Sequence, residues 1–176
     1  PAATLAAPEM ATQAGALLPT VCNVRGSSAG RLAPAQVLTQ AGPEIGVAST
    51  KAFTTQLVAM VLIALALRSV RWLADDTDVE LVAELQRLPQ AVERALSIDD
   101  ELYELGTEML ADATDSLYLG RGILYPIALE GALKLKEISY LHAEGYPAGE
   151  MKHGPIALLQ EGFPVVAVVP GGTSRD

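Results

Sequence analysis

Apolar and small residues recur every three or four positions between residues 124 and 142, which predicts an amphipathic helix. At about 100° of turn per residue they form one stripe that we expect to pack on a sheet. The stripe consists of Leu124, Ile127, Ala128, Gly131, Leu135, Ile138 and His142. We expect the helix to end near residues 146–149, because Pro147 and Gly149 both interrupt helical backbone.

Short apolar runs alternate with longer helical patterns along the rest of the chain. Strands are predicted at Thr20 to Val24, Leu117 to Leu119 and Val165 to Val169. Helices are predicted at 2–18, interrupted by Pro8, at 79–96, bent or ended near Pro89, and at 101–113. This alternation predicts an α/β fold with parallel sheets between layers of helices.

Residues 57–67 are all apolar, which is typical of a buried helix or of a membrane span. A helix of that length covers only about half of the hydrocarbon thickness of a bilayer, and the polar residues Gln56 and Arg68 close the run. We therefore expect burial in a protein core and no membrane partner.

One flank of the 124–142 helix carries Glu130, Lys134 and Glu137, which fall within an arc of about 60°. A carboxylate beside an ammonium at a half-buried rim can move protons while the ammonium holds charge. The same spacing is also typical of a solvated face of ion pairs. The residues alone leave both interpretations open.

His153 is followed by Gly154 and Pro155, so we expect it on a stiff turn outside any helix. A histidine there can act as a general acid or base, or can be a turn residue held by hydrogen bonds. His153 and His142 do not have the spacing of a zinc site, and no metal site is predicted.

Two further stretches carry hydroxyl groups next to glycine. Ser49 is placed to cap a helix that begins at Thr50, where hydroxyl and N–H groups would face a polar ligand. Gly26, Ser27 and Ser28 follow a strand and form either a plain turn or an anion contact.

Composition and charge narrow the function further. The chain has 176 residues and a net charge of -9, which argues against nucleic acid as a partner. The single cysteine, Cys22, excludes an internal disulfide and favours a reducing, cytoplasmic location. The glycines around Arg121 do not form a dinucleotide fingerprint, and no cofactor is expected.

Two long motifs, at 41–57 and 119–155, resemble a known enzyme family. They read AGPEIGVASTKAFTTQL and LGRGILYPIALEGALKLKEISYLHAEGYPAGEMKHGP. They closely resemble the isomerase half of glutamine–fructose-6-phosphate aminotransferase, also called glucosamine-6-phosphate synthase. The resemblance implies two sugar isomerase (SIS) domains, each a three-layer α/β/α unit with a parallel sheet.

The resemblance also implies a reaction and roles for five residues. The family converts fructose 6-phosphate and glutamine to glucosamine 6-phosphate and glutamate. Its proton-shuttling glutamate falls on Glu137, its charge-supporting lysine on Lys134, and its ring-opening histidine on His153. Val47 and Ser49 are expected to contact the sugar.

By this resemblance the chain is expected to be a fragment with two incomplete SIS domains. Residues 1–73 would end the first, 74–113 would be linking helices, and 114–176 would begin the second. The phosphate-binding loop before Ala2, a C-terminal tail and an ammonia-supplying glutaminase domain would lie elsewhere, and the protein would be a homodimer. The alternatives are another SIS enzyme, such as a deglycase or phosphosugar isomerase, and a noncatalytic module that senses a sugar phosphate.

Overall fold

The computed structural model describes residues 2–171, which contain six α-helices and five parallel strands. The helices are α1 (Ala2–Gln13), α2 (Ser28–Leu32), α3 (Lys51–Val70), α4 (Asp76–Leu96), α5 (Asp99–Leu110) and α6 (Tyr125–Ser139). The strands are β1 (Pro19–Cys22), β2 (Ala35–Leu38), β3 (Asp115–Gly120), β4 (His142–Pro147) and β5 (Val165–Val168). The predicted α/β class with parallel sheets is confirmed.

The chain divides into two compact units, the first ending at Pro89 and the second beginning at Gln90. This division falls inside α4, which continues through Pro89. In the first unit β1 and β2 pair in parallel, from Pro19 opposite Ala35 to Cys22 opposite Leu38. The short helix α2 between them begins at Ser28 and is capped by Ser27, whose hydroxyl accepts the N–H of Gly30. The predicted turn is thus the start of a helix, and one of its two adjacent hydroxyls is used as the cap.

The second unit contains a three-stranded parallel sheet with the order β4-β3-β5. The helix α6 connects β3 to β4 and packs against both of them. Small residues at this interface, among them the buried Ala128, Ala132 and Ala143, bring helix and sheet close together. The central strand β3 supplies the largest fully buried side chain, Leu117.

The predicted end of the helix at 146–149 is wrong, because α6 ends at Ser139 and β4 begins at His142. Tyr140 adopts a left-handed conformation with φ of 62°, and its N–H bonds to the carbonyl of Lys136. A left-handed residue satisfies the last carbonyls of a helix and turns the chain out of it. His142 therefore lies on a strand, and Ile138 is exposed instead of facing the sheet.

The predicted burial of the apolar helix at 57–67 is also wrong for this chain. The helix α3 is 20 residues long, and only Ala52 and Ala59 along it are buried. By length and composition it is the one helix among residues 2–171 that could cross a bilayer, which is weak evidence for a span. Its apolar surface is largely uncovered in the described part of the first unit.

Candidate functional site

The clearest cluster of charged groups lies on α6. Lys134 Nζ lies 2.5 Å from Glu137 Oε2 and 3.3 Å from Glu130 Oε1. The Lys134 side chain is 19% exposed and that of Glu137 is 31% exposed. The structure thus brings together the three side chains that the helical spacing predicted on one flank, Glu130, Lys134 and Glu137, and it holds them at a half-buried surface.

The two carboxylates fix the charge of the lysine. The hydrogen bond that Lys134 donates to Glu137, helped by Glu130, raises the pKa of Lys134 above its ordinary value. The ammonium therefore stays protonated at neutral pH, where it can neutralise negative charge that develops on a bound ligand. The Glu137 side chain remains partly exposed, so a ligand can reach its carboxylate.

The cluster lies near the amino ends of the strands. Because α6 returns from the end of β3 to the start of β4, it runs antiparallel to both strands. Lys134 and Glu137 are in its last two turns. In open α/β sheets the usual ligand crevice lies beyond the carboxyl ends of the strands. The α6 cluster is therefore a site on the flank of a helix, distinct from that crevice.

His153 closes a short 3-10 helix, Ala148–His153, instead of lying in an irregular turn as predicted. Its Nδ1 lies 2.8 Å from Glu150 Oε2. Gly154 follows with φ of 147°, a value that side chains strongly disfavour, and Pro155 begins the next 3-10 helix. The backbone that follows His153 is thus restricted by Gly154 and Pro155.

The predicted sugar contacts Val47 and Ser49 lie in the loop before α3, in the first unit. Val47 is 93% exposed. The prediction that Ser49 caps the helix is wrong, because α3 begins at Lys51 and its N-cap residue is Thr50, which makes no side-chain capping bond. Helix caps are specified by backbone dihedrals as well as residue type, and two adjacent hydroxyl residues cannot be told apart by pattern alone.

Sequence reasoning missed the residue that shapes this loop. Asn23 Oδ1 accepts the N–H of Ala41 at 2.8 Å, and its Nδ2 donates to the carbonyl of Gly42 at 2.7 Å. Lys51 Nζ donates to the carbonyl of Pro43 from the other side, at 2.6 Å. The loop encloses a cavity of about 240 Å³ whose lining includes Glu44 and Thr50. Nothing local in the sequence indicates a contact across 18 residues.

A second cluster was also missed, on the far face of the second sheet from α6. His142 Nδ1 lies 2.9 Å from Asp115 Oδ1, and its Nε2 lies 3.5 Å from Glu144 Oε1. These side chains line a cavity of about 520 Å³ together with Gln160 and Phe163. The sequence indicates this cluster only through the strand at 142–147, which places alternate residues such as His142 and Glu144 on the same face, and that strand was not predicted. Within residues 2–171 no group of three or more His, Cys, Asp or Glu side chains is arranged to hold a metal ion.

Comparison with known proteins adds a family to this geometry. Residues 109–176 match the family model described as SIS domain. This segment is similar to a SIS domain. The parallel sheet β4-β3-β5 and the helix α6 that carries Lys134 and Glu137 are therefore elements of a SIS fold.

The similarity extends beyond the SIS segment to nearly the whole chain. It is 54% identical over 174 residues to glutamine–fructose-6-phosphate aminotransferase [isomerizing] of Thermococcus kodakarensis, covering 98% of this chain and 29% of that protein. The protein of the same name from Pseudomonas aeruginosa is 54% identical over 169 residues, covering 95% of this chain and 28% of that protein. The chain thus spans less than a third of the length of these relatives.

A solved structure gives the same result for the fold. The C-terminal domain of glucosamine-fructose-6-phosphate aminotransferase from Francisella tularensis superposes with a TM-score of 0.93 at 45% identity. The match covers 98% of this chain and 49% of that one. The resemblance inferred from the two motifs is confirmed: nearly the whole chain is similar to these aminotransferases, and residues 109–176 match a SIS domain.

Proposed function

We propose that this chain is part of an enzyme that converts fructose 6-phosphate and glutamine to glucosamine 6-phosphate and glutamate. The proposal is supported by relatives of that name at 54% identity over nearly the whole chain. The observation that carries it is the contact between Lys134 and Glu137 on α6, which holds a carboxylate and an ammonium side by side at a half-buried surface.

In this reaction Glu137 moves a proton between C1 and C2 of the open-chain imine. Its carboxylate accepts the proton from one carbon and returns it to the other, so no net proton is consumed. Lys134 supports negative charge near O1 while the proton is in transit. Both carbons can be reached from one carboxylate because they are neighbours.

The other predicted residues have separate roles toward the same sugar. His153 assists opening of the sugar ring, and Val47 and Ser49 contact the open-chain sugar. Ammonia comes from a glutaminase domain, and the functional protein is a cytoplasmic homodimer. Residues 1–73 belong to the first SIS domain, 74–113 link the domains, and 114–176 belong to the second; parts of the protein outside this chain cover the apolar surface of α3.

The test is a pair of glutamate substitutions in the natural full-length protein. Glu137→Gln keeps the size of the side chain and one oxygen that can accept a hydrogen bond from Lys134, and it removes the carboxylate that accepts a proton. We expect kcat for glucosamine 6-phosphate formation to fall by about 100-fold or more, since general acid–base catalysis contributes about 10²- to 10⁴-fold. Fructose 6-phosphate binding, measured by calorimetry, is expected to stay within about twofold of the original.

Glu108→Gln is the matched control, because Glu108 is an exposed carboxylate on α5. It should leave both kcat and binding unchanged. Normal turnover in Glu137→Gln would refute the assigned role of this residue. Sugar binding without any turnover in the unmodified protein would instead support a sensor function.

A further inference from the structure

Glu150 and His153 form a pair whose geometry is set by the backbone. In a 3-10 helix there are about three residues per turn, so side chains at i and i+3 lie directly above one another. Glu150 and His153 have this spacing in the 3-10 helix Ala148–His153, and Glu150 Oε2 lies 2.8 Å from His153 Nδ1.

Both side chains are well exposed, at 60% for Glu150 and 71% for His153. An exposed pair of this kind contributes little to folding stability. Its main physical effect is therefore on the imidazole itself. A hydrogen bond at one ring nitrogen fixes the tautomer and orientation of the ring and leaves the other nitrogen for chemistry.

We propose that Glu150 is a positioning residue for His153, which it orients for opening of the sugar ring. The inference rests on the ring-opening role proposed above for His153. The Glu150 carboxylate accepts a hydrogen bond from Nδ1–H of the His153 imidazole, so that Nε2 carries the lone pair. The fixed turn at Gly154 and Pro155 keeps the backbone of His153 in place while the carboxylate holds the ring.

The step conserves atoms and protons. His153 Nε2 takes the proton of the hydroxyl on C2 of the cyclic sugar, and the bond between C2 and O5 breaks. The imidazolium then gives the proton to O5, which leaves a ketone at C2 and a hydroxyl at C5. Glu150 stabilises the short-lived imidazolium through its contact with Nδ1, as a buried aspartate does in a serine protease.

A substrate that cannot form a ring separates this role from general structural support. 5-Deoxyfructose 6-phosphate lacks the O5 that closes the furanose ring, so it is already open-chain. In the full-length protein we expect Glu150→Ala to lower kcat/KM for fructose 6-phosphate by about 10- to 100-fold, taking the range typical for loss of the partner that orients a metal-bound histidine. With the 5-deoxy substrate the loss should be under about threefold.

Glu150→Gln should recover much of the activity on fructose 6-phosphate, because its amide oxygen can still accept from Nδ1. Glu161→Ala removes an exposed carboxylate from the same unit and should leave both substrates unaffected. Equal losses on both substrates in Glu150→Ala, or no loss on either, would overturn the proposal.

His153→Asn distinguishes the two levels of inference. If it lowers activity on fructose 6-phosphate alone and Glu150→Ala does not, the proposed ring-opening role stands and the positioning role of Glu150 fails. If His153→Asn leaves both substrates unaffected, the ring-opening role fails, and the positioning role fails with it.

Discussion

Gly131 lies in the middle of α6 where the helix crosses the ring of Tyr118 on β3. A Cβ atom at this position would lie 2.8 Å from Cδ1 and 2.9 Å from Cε1 of that ring. These distances are well inside ordinary van der Waals contact, which begins near 3.4 Å. Gly131→Ala therefore adds a methyl group where the helix and the sheet are already in contact.

Two opposing effects set the size of the change. Replacing glycine by alanine in a helix is favourable by about 0.5–1 kcal/mol, while overpacking a tight interface costs about 1–3 kcal/mol. Gly106 in α5 isolates the first effect, because no atom lies within 4 Å of a Cβ built there. We expect Gly106→Ala to stabilise its helix and Gly131→Ala to be less stable than that control by about 1–3 kcal/mol.

Hydrogen exchange followed by mass spectrometry measures this difference locally in the full-length protein, where a single melting temperature would mix several domains. A difference of about 1–3 kcal/mol corresponds to a change of about 5- to 150-fold in protection of the α6 amides. Adding Tyr118→Leu to Gly131→Ala should restore much of that protection. Equal stabilisation by Gly131→Ala and Gly106→Ala would refute the packing argument.

Three further changes test other features of the second unit. Gly120→Ala would place Cβ 2.3 Å from the carbonyl oxygen of Leu124; we expect a loss of about 3 kcal/mol or more, seen as lower hydrogen-exchange protection of the β3 amides. Ser116 is 1% exposed and its hydroxyl has no partner in the described structure; Ser116→Ala should raise the stability by about 1 kcal/mol, and a fall would show that the hydroxyl is hydrogen-bonded. The hydrogen bond from Thr114 is the main cause that lowers the pKa of Asp115 below its ordinary value of 3.8. The stability that this hydrogen bond gives the folded state is complete above pH 3.8 and is lost as the pH falls through the lower folded-state pKa of Asp115. The Thr114→Val variant should therefore unfold at a higher pH in an acid titration.

The features predicted correctly are those that short-range pattern determines. The spacing of Glu130, Lys134 and Glu137 requires only a helix to bring the side chains together, and the structure contains that helix. The strands β3 and β5 were recognised from their apolar runs. The strand β2 was not, because Ala35–Leu38 contains few of the β-branched and aromatic residues that favour strands.

The boundary between α6 and β4 was missed because its signal is conformational. Tyr140 ends the helix in a left-handed conformation, a position that glycine or asparagine usually occupies. His142 continued the apolar spacing of the helix by coincidence. The end of the helix was therefore predicted too late, at Pro147 and Gly149, because these are the next residues whose type breaks a helix.

The candidate site could be predicted only where it is local. Glu137 and Lys134 share one helix, but Val47 and Ser49 lie in a loop whose shape depends on Asn23, far away in the sequence. Such a contact results from the fold as a whole, and no pattern in 41–55 predicts it. The roles of all five site residues follow from the family resemblance, and the substitutions of Glu137 and His153 test two of them.

The uncovered apolar surface of α3 affects how the protein is synthesised. On the ribosome β1, β2 and α3 emerge before α6 and the second sheet, since domains form from the N-terminus onward. Large apolar side chains such as Leu57, Met60 and Leu67 are exposed along α3 at that stage. We expect nascent chains that have been synthesised as far as α3 to bind ribosome-associated chaperones. Release from the chaperone should follow the synthesis of the segments that cover α3.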